Sequence, residues 1–237
     1  MPEPIRLAKR VAAIAQCSRR EAELFIEGGW VRIDGVVIEE PQARVSEEQH
    51  VVLDPDAIAQ DALPVTLLVH KPAGMRYDEA MRLLVEANRA PAGAAPPRML
   101  KRHFEKLTPL LDMPAQASGL AVYSQDFRII RKLTEDALLV EQELVVEVEG
   151  TIREGGLPLL KDGLVYRDWR LPSAKVSWQS EQRLRFAVKG MDPALVPWMC
   201  EEVGLRPTAM KRLRLGRVPM SGLPVGQWRY LDPEAKF

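Results

Sequence analysis

Hydrophobic positions open the chain at helical spacing. Leu7, Val11, Ala12 and Ile14 recur with Arg6, Lys9 and Arg10 between them, which predicts an amphipathic helix with a basic flank. Cys17 closes it. Ser18 then opens a second helix as a capping box: its hydroxyl accepts from the backbone of Glu21, whose carboxylate reaches back. Ala22, Phe25 and Ile26 give that helix a buried side, and Gly28-Gly29 stops it. From Trp30 the period shortens. Two β-rich runs, 30–33 and 36–38, flank Asp34-Gly35, a hairpin signal because a type I′ turn needs positive φ at both central residues. A third such run, 50–53, can return to this sheet. Residues 55–64, rich in Ala, Asp and Pro, predict a linker.

The second part begins with an apolar strand over 65–69 and a tight turn at Lys71-Pro72-Ala73-Gly74. A helix is expected over 78–88, and a mobile excursion over the Pro/Ala/Gly-rich stretch 89–98. Strands are expected at 119–123 and 144–148, a helix at 127–136, paired strands at 169–178 and 183–188, a helix at 193–203, and late strands at 211–215 and 227–231. The fold class read from this order is α+β. A small helix–helix–hairpin domain spans 1–60, and a larger mixed, mainly antiparallel-sheet domain spans 65–237. No GxGxxG, no GxxxxGK[ST] and no βαβ rhythm occurs, which disfavours nucleotide-cofactor folds.

Composition narrows the function by exclusion. Lys+Arg and Asp+Glu balance at 33 each over 237 residues, so any nucleic-acid reading rests on where charges sit. Cys17 and Cys200 stand far apart and His50, His70 and His103 are scattered, which predicts neither a zinc site nor a disulfide framework. No run approaches the roughly 18 apolar residues of a membrane span. The expectation is a cytoplasmic, metal-free monomer with no membrane partner.

The words "IRLAKRVA", "CSRREAELFI" and "WVRIDGVVI" together resemble the S4 RNA-binding domain over about residues 5 to 53. That resemblance implies a compact module laid against structured RNA, usually ribosomal RNA. Arg19 and Arg20 lie in the first turn of the second helix, where backbone N–H groups also attract phosphate. Arg6, Lys9, Arg10 and Arg32 add charge to one side. Such contacts read phosphate position and RNA shape. The competing reading is a solvated face with i,i+4 pairs such as Arg19–Glu23.

From Val65 onward the chain resembles the ribosomal pseudouridine synthases that carry an N-terminal S4 domain. The resemblance lies in "LLVHKPAG", "ASGLAVYSQD", "EQELVVEVEG" and "GLRPTAMKRLRLGRVPMSGLPVGQWRYL". It implies chemistry without cofactor or metal. One aspartate in an R-L-D-x-x-T-x-G-L loop acts at the ribose of a flipped uridine; the uracil detaches, rotates and rejoins through C5. An arginine pairs with that aspartate, and an aromatic ring, commonly tyrosine, stacks on the base.

Three departures stand out. Pro114 occupies the catalytic position counted back from Gly119. The nearest acid is Asp112, two residues early, preceded by Leu110-Leu111 rather than Arg-Leu. The Lys-x-Tyr of the following strand reads Gln142-Glu143-Leu144, and leucine offers no π-face. The family's Asn-Arg-Gln-x-Arg-Arg stretch reads 192–197, Asp-Pro-Ala-Leu-Val-Pro. Two functions follow as alternatives: an isomerase for uridine in ribosomal RNA with Asp112 as the displaced catalytic carboxylate, or a catalytically inactive RNA-binding homologue that assists ribosome assembly. The competing reading of Asp112 is a plain loop acid. An S4 module fused to an unrelated domain is a weaker third reading, against which the C-terminal match argues.

The remaining candidate RNA contacts are Lys71 and the basic tail. Alternation over 211–215 puts Arg212 and Arg214 on one strand face beside Lys211, where they could track a phosphate backbone. A solvated, charge-protected strand edge is the alternative.

Overall fold

The computed structural model describes residues 3–91 and 97–237. It divides into two compact units. The first comprises residues 1–64 and 97–105; the second comprises 65–96 and 106–237. The anticipated boundary near 60–65 therefore has a return: residues 97–105 pack with the N-terminal unit. Part of the expected excursion, 92–96, lies outside the described residues.

The first unit follows the predicted order. After the short strand Ile5–Arg6 (β1) come Leu7–Ala15 (α1) and Arg19–Glu27 (α2). Ser18 forms the expected capping box, with Glu21 N donating to its Oγ at 3.2 Å and Ser18 N donating to Glu21 Oε2 at 2.8 Å. Val31–Ile33 (β2), Val36–Val37 (β3), Arg44–Val45 (β4) and Val51–Leu53 (β5) follow. β3, β2 and β5 make one three-stranded antiparallel sheet, so the third β-rich run returns as expected. Asp34 and Gly35 have φ 51° and 85°, the positive pair that the hairpin signal requires. Leu7, Ala8 and Val11 of α1 pack with Ala22 and Ile26 of α2 and with Val31 and Ile33 of β2 into one core.

The second unit is built on a nine-stranded sheet. Its strands are Thr66–Lys71 (β6), Thr108–Leu110 (β7), Ser118–Ser124 (β8), Gln142–Gly150 (β9), Lys175–Ser180 (β12), Arg183–Val188 (β13), Leu205–Leu215 (β14), Val218–Pro219 (β15) and Trp228–Tyr230 (β16). A separate hairpin pairs Val165–Tyr166 (β10) with Trp169–Arg170 (β11). The sheet order is β12-β13-β9-β14-β8-β6-β16, with β15 on β14 and β7 on β8. Between these strands every pairing is antiparallel except β14 with β8. All six residues of β6 are buried, which explains the unbroken apolar run there: a strand covered on both faces shows no alternation. Helices Phe127–Glu135 (α3), Gly156–Asp162 (α4) and Val196–Glu202 (α5) accompany the sheet. The α+β expectation holds.

Two predicted elements differ. Residues 78–88 form two 3₁₀ turns, Glu79–Leu83 and Glu86–Asn88, in place of one helix. Tyr77, pinned by hydrogen bonds through both its hydroxyl and its carbonyl, fixes the entry, and Asn88 Nδ2 donates to Leu83 O at 3.1 Å. The strand expected over 169–178 is broken between β11 and β12, where Leu171 turns inward against Gly163. Among the described residues no helix is long and apolar enough to cross a membrane.

Candidate active site

The site lies where the sheet changes direction. β8 and β14 run parallel over only two residue pairs, one of which is Gly119 with Arg212. On the other side of β14, Arg212 is in register with Leu144 of β9. Gly119, Arg212 and Leu144 thus form one row across the sheet. Gly119 has φ 111°, and a Cβ there would lie 2.2 Å from Arg212 O. Only glycine lets these two backbones approach so closely.

Arg212 is 1% exposed. Its Nε donates to Leu120 O at 2.8 Å. Its Nη1 donates to Leu111 O at 2.6 Å and to Gln142 Oε1 at 3.2 Å, with a longer contact of 3.5 Å to Asp112 O. Its Nη2 donates to the Tyr77 hydroxyl at 3.4 Å, and its guanidinium lies 5.9 Å from the Tyr77 ring centroid. Burial lowers the Arg212 pKa, while Tyr77 and Asp112 act upward. Guanidinium stays charged regardless, so this is a buried cation held mainly by neutral acceptors.

Tyr77 is the second anchor. Its hydroxyl donates to Leu110 O at 2.5 Å and accepts from Val122 N at 2.9 Å, and Tyr123 Oη donates to Tyr77 O at 2.5 Å. Burial raises the Tyr77 pKa, keeping the phenol neutral and a donor. Lys71, with no exposed surface, is the third. Its ammonium donates to the carbonyls of Pro72 (3.1 Å), Met75 (2.7 Å), Ala115 (3.1 Å) and Ala117 (2.5 Å). Burial and then Arg212 lower its pKa to about 8, against an upward pull from Asp112. These hydrogen bonds tie the Lys-Pro-Ala-Gly turn to the loop between β7 and β8.

Asp112 sits in that loop, exposed, directly after Leu111. Leu111 has φ 51°, a left-handed conformation that costs a branched side chain free energy. The Asp112 Oδ1 accepts from Met113 N at 2.6 Å. It forms no ion pair among the described residues. The arginine that reaches this loop grips its carbonyls instead. Even so, the charge of Asp112 is felt by both buried cations, Lys71 and Arg212.

The structure corrects part of the expected RNA surface. Lys71 and Arg212 are buried and spend their donors on carbonyls, so neither faces a phosphate. Arg212 and Arg214 do not share an open face, because the register of β14 shifts between them. Arg214 is instead tied to Glu141 at 2.6 Å and Glu143 at 3.0 Å. Lys211 stays partly exposed. Leu144, at the expected stacking position, is 2% exposed. In the first unit Arg6, Lys9, Arg19, Arg20 and Arg32 are exposed and Arg10 is half-buried. Arg6 and Arg19 line one groove together with Glu23 and Glu27. Arg19 pairs with Glu23 at 3.1 Å and Arg20 with Asp61 at 2.9 Å, while Arg6, Lys9, Arg10 and Arg32 have no carboxylate partner among the described residues.

Tyr77 and Gln142 escaped the sequence reading. Tyr77 falls between the predicted turn at 71–74 and the helix expected over 78–88, and its partners Leu110, Val122 and Arg212 are remote in the chain. Gln142 was seen only as a lost lysine. Among the described residues no group of three or more His, Cys, Asp or Glu side chains is poised to hold a metal.

The S4 domain family matches residues 5–51. Along nearly its whole length the chain is similar to RNA pseudouridine synthases. It is 24% identical over 239 residues to the dual-specificity RNA pseudouridine synthase RluF of Salmonella typhi, covering 97% of this chain and 76% of that protein. It is 22% identical over 238 residues to ribosomal large subunit pseudouridine synthase B of Bacillus subtilis, covering 96% and 92%. A crystal structure of a pseudouridylate synthase superimposes with a TM-score of 0.60 over 96% of both chains, at 16% identity. The two share a fold.

Proposed function

We propose that this chain, an S4 domain followed by a domain of pseudouridylate-synthase fold, binds structured RNA and isomerises uridine to pseudouridine in ribosomal RNA, with Asp112 as the catalytic carboxylate. The observation that carries the proposal is the loop itself. A strained Leu111 presents Asp112 beside the parallel joint of β8 and β14, and Arg212 holds that turn from inside the sheet. Strain of this kind persists where surrounding contacts over-determine it, and it concentrates at functional sites.

In this reading the first unit grips RNA through Arg6, Lys9, Arg10, Arg19, Arg20 and Arg32, with Lys211 as a contact in the second unit. The target uridine leaves its stack. Asp112 acts at the ribose, the bond from C1′ to N1 breaks, the uracil turns, C5 bonds to C1′ and releases its proton to solvent, and N1 takes up a proton. Substrate and product are isomers, so atoms balance without a cofactor. The protein works as a cytoplasmic monomer on ribosomal RNA.

A specific observation favours the second reading, an RNA-binding homologue without isomerase activity. The Asp112 carboxylate caps its own loop through Met113 N, and Leu144 offers no ring for the base. Tritium release from ribosomal RNA labelled at uridine C5 separates the two. Release by the native protein that vanishes in Asp112→Asn supports the isomerase. No release from either, with salt-sensitive RNA binding intact in both, overturns it and leaves the binding protein.

A further inference from the structure

The β10–β11 hairpin pairs with no other strand among the described residues. Its base is firmly set. Gly163 has φ 93°, and a Cβ there would lie 2.1 Å from Leu171 O. Leu171 N donates to Leu164 O at 2.8 Å, and the Tyr166 ring meets Trp198 of α5 edge-on with centroids 4.9 Å apart. Its tip is strained. Arg167 and Asp168 have φ 47° and 65°, a geometry that ordinarily takes Asn-Gly. The fold tolerates two side chains in the left-handed region here, and so displays the sequence Arg-Asp-Trp-Arg to solvent.

Those side chains are unusually free. Trp169 is 47% exposed. Arg167 lies over the Tyr166 ring, 5.2 Å from its centroid. Neither Arg167 nor Arg170 has a carboxylate partner among the described residues. Elsewhere in the same unit Arg183, Arg185, Arg206 and Arg214 are each tied to a glutamate.

We infer that this hairpin is a second RNA-binding element, in which Trp169 stacks on an unpaired base while Arg167 and Arg170 hold the flanking phosphates. The inference rests on the RNA-binding reading above and adds a single-stranded segment to the ligand. An indole face is useless against a paired duplex and well suited to a splayed base. Free guanidiniums beside it supply the phosphate charge. A protein partner would ask for a contiguous apolar patch, whereas Arg167, Asp168 and Arg170 surround the ring with charge.

Fluorescence anisotropy of the full chain tests this, with labelled decauridylate as the single-stranded probe and a labelled RNA stem-loop as the structured one, each over a series of KCl concentrations. Trp169→Ala weakens decauridylate binding by about tenfold or more, and Trp169→Phe restores most of it. The Arg167→Ala/Arg170→Ala variant flattens the log–log salt slope by about 0.7 for each phosphate it no longer neutralises. If Trp169→Ala melts early, the arginine variant decides alone. Unchanged decauridylate affinity and slope, with stem-loop binding intact, overturn the hairpin's role in RNA binding and leave the indole to a protein partner. Failure of the native chain to bind either RNA overturns the RNA-binding reading itself.

Discussion

The guanidinium of Arg212 and the carbonyl oxygen of Leu111 meet at 2.6 Å, and Leu111 carries a left-handed φ of 51°. A buried cation therefore holds the strained turn that presents Asp112. Lysine in its place keeps the charge but loses the fork that serves Leu120 O, Leu111 O and Gln142 together. Arg212→Lys is expected to lower tritium release by about 100-fold or more through misplacement of the loop. Arg212→Met strands those acceptors and costs about 3–5 kcal/mol in urea unfolding. Native release by Arg212→Lys would break the link between the cation and the loop.

Lys71 predicts a distinct signature. Replacing it with methionine leaves four carbonyls, one buried and three part-buried, short of a donor and is expected to cost about 2–4 kcal/mol. Because the side chain is buried, the salt dependence of RNA binding stays unchanged, and a shallower slope would contradict its placement. Its folded pKa of about 8 lies below the ordinary 10.5. Between those values the unfolded chain binds more protons, so this lysine makes stability rise with pH there. Lys71→Met removes that rise.

His103, 4% exposed in the returning segment 97–105, gives the opposite end of the scale. Burial and then Arg102 push its pKa down to about 4, from 6.5. Its contribution is complete above pH 6.5 and is lost as pH falls towards 4, up to about 3 kcal/mol. Amide hydrogen exchange across 100–104 should quicken over this window in the native protein and stay flat in His103→Gln.

Gly119→Ala places a methyl group against the backbone of Arg212. The β8–β14 joint must then open, at a cost of about 3 kcal/mol or more, and tritium release falls with it. Urea melts of the variant indistinguishable from native would show that the joint yields easily.

Local signals were legible in the sequence wherever one short segment decides its own structure. The Ser18 capping box and the Asp34-Gly35 turn are complete within a few residues, so the first unit could be read almost whole. The landmarks around Gly119 and Leu144 likewise fall in strands on either side of Arg212. What the sequence could not yield was orientation. Alternation in 211–215 predicted a charged face, but the register shift between Arg212 and Arg214 turned the first inward. Lys71 reads as surface charge in any composition count, yet four carbonyls from two loops claim it. Tyr77 acquires its role from Leu110, Val122 and Arg212, partners that only the folded sheet assembles.

The return of residues 97–105 to the first unit has a consequence for biogenesis. Arg98 reaches Gly29 O at 2.7 Å and Asp54 at 3.1 Å and lies over the Trp30 ring at 3.9 Å, while Lys101 pairs with Glu40 at 2.8 Å. During synthesis the N-terminal module emerges from the ribosome before these cations do. Its acidic hairpin side and Trp30 then wait, uncovered, until the opening strand of the second unit has also been made. Nascent-chain maturation of the small module is thus timed by the large one, and truncation at residue 64 would freeze the precursor rather than release a finished domain.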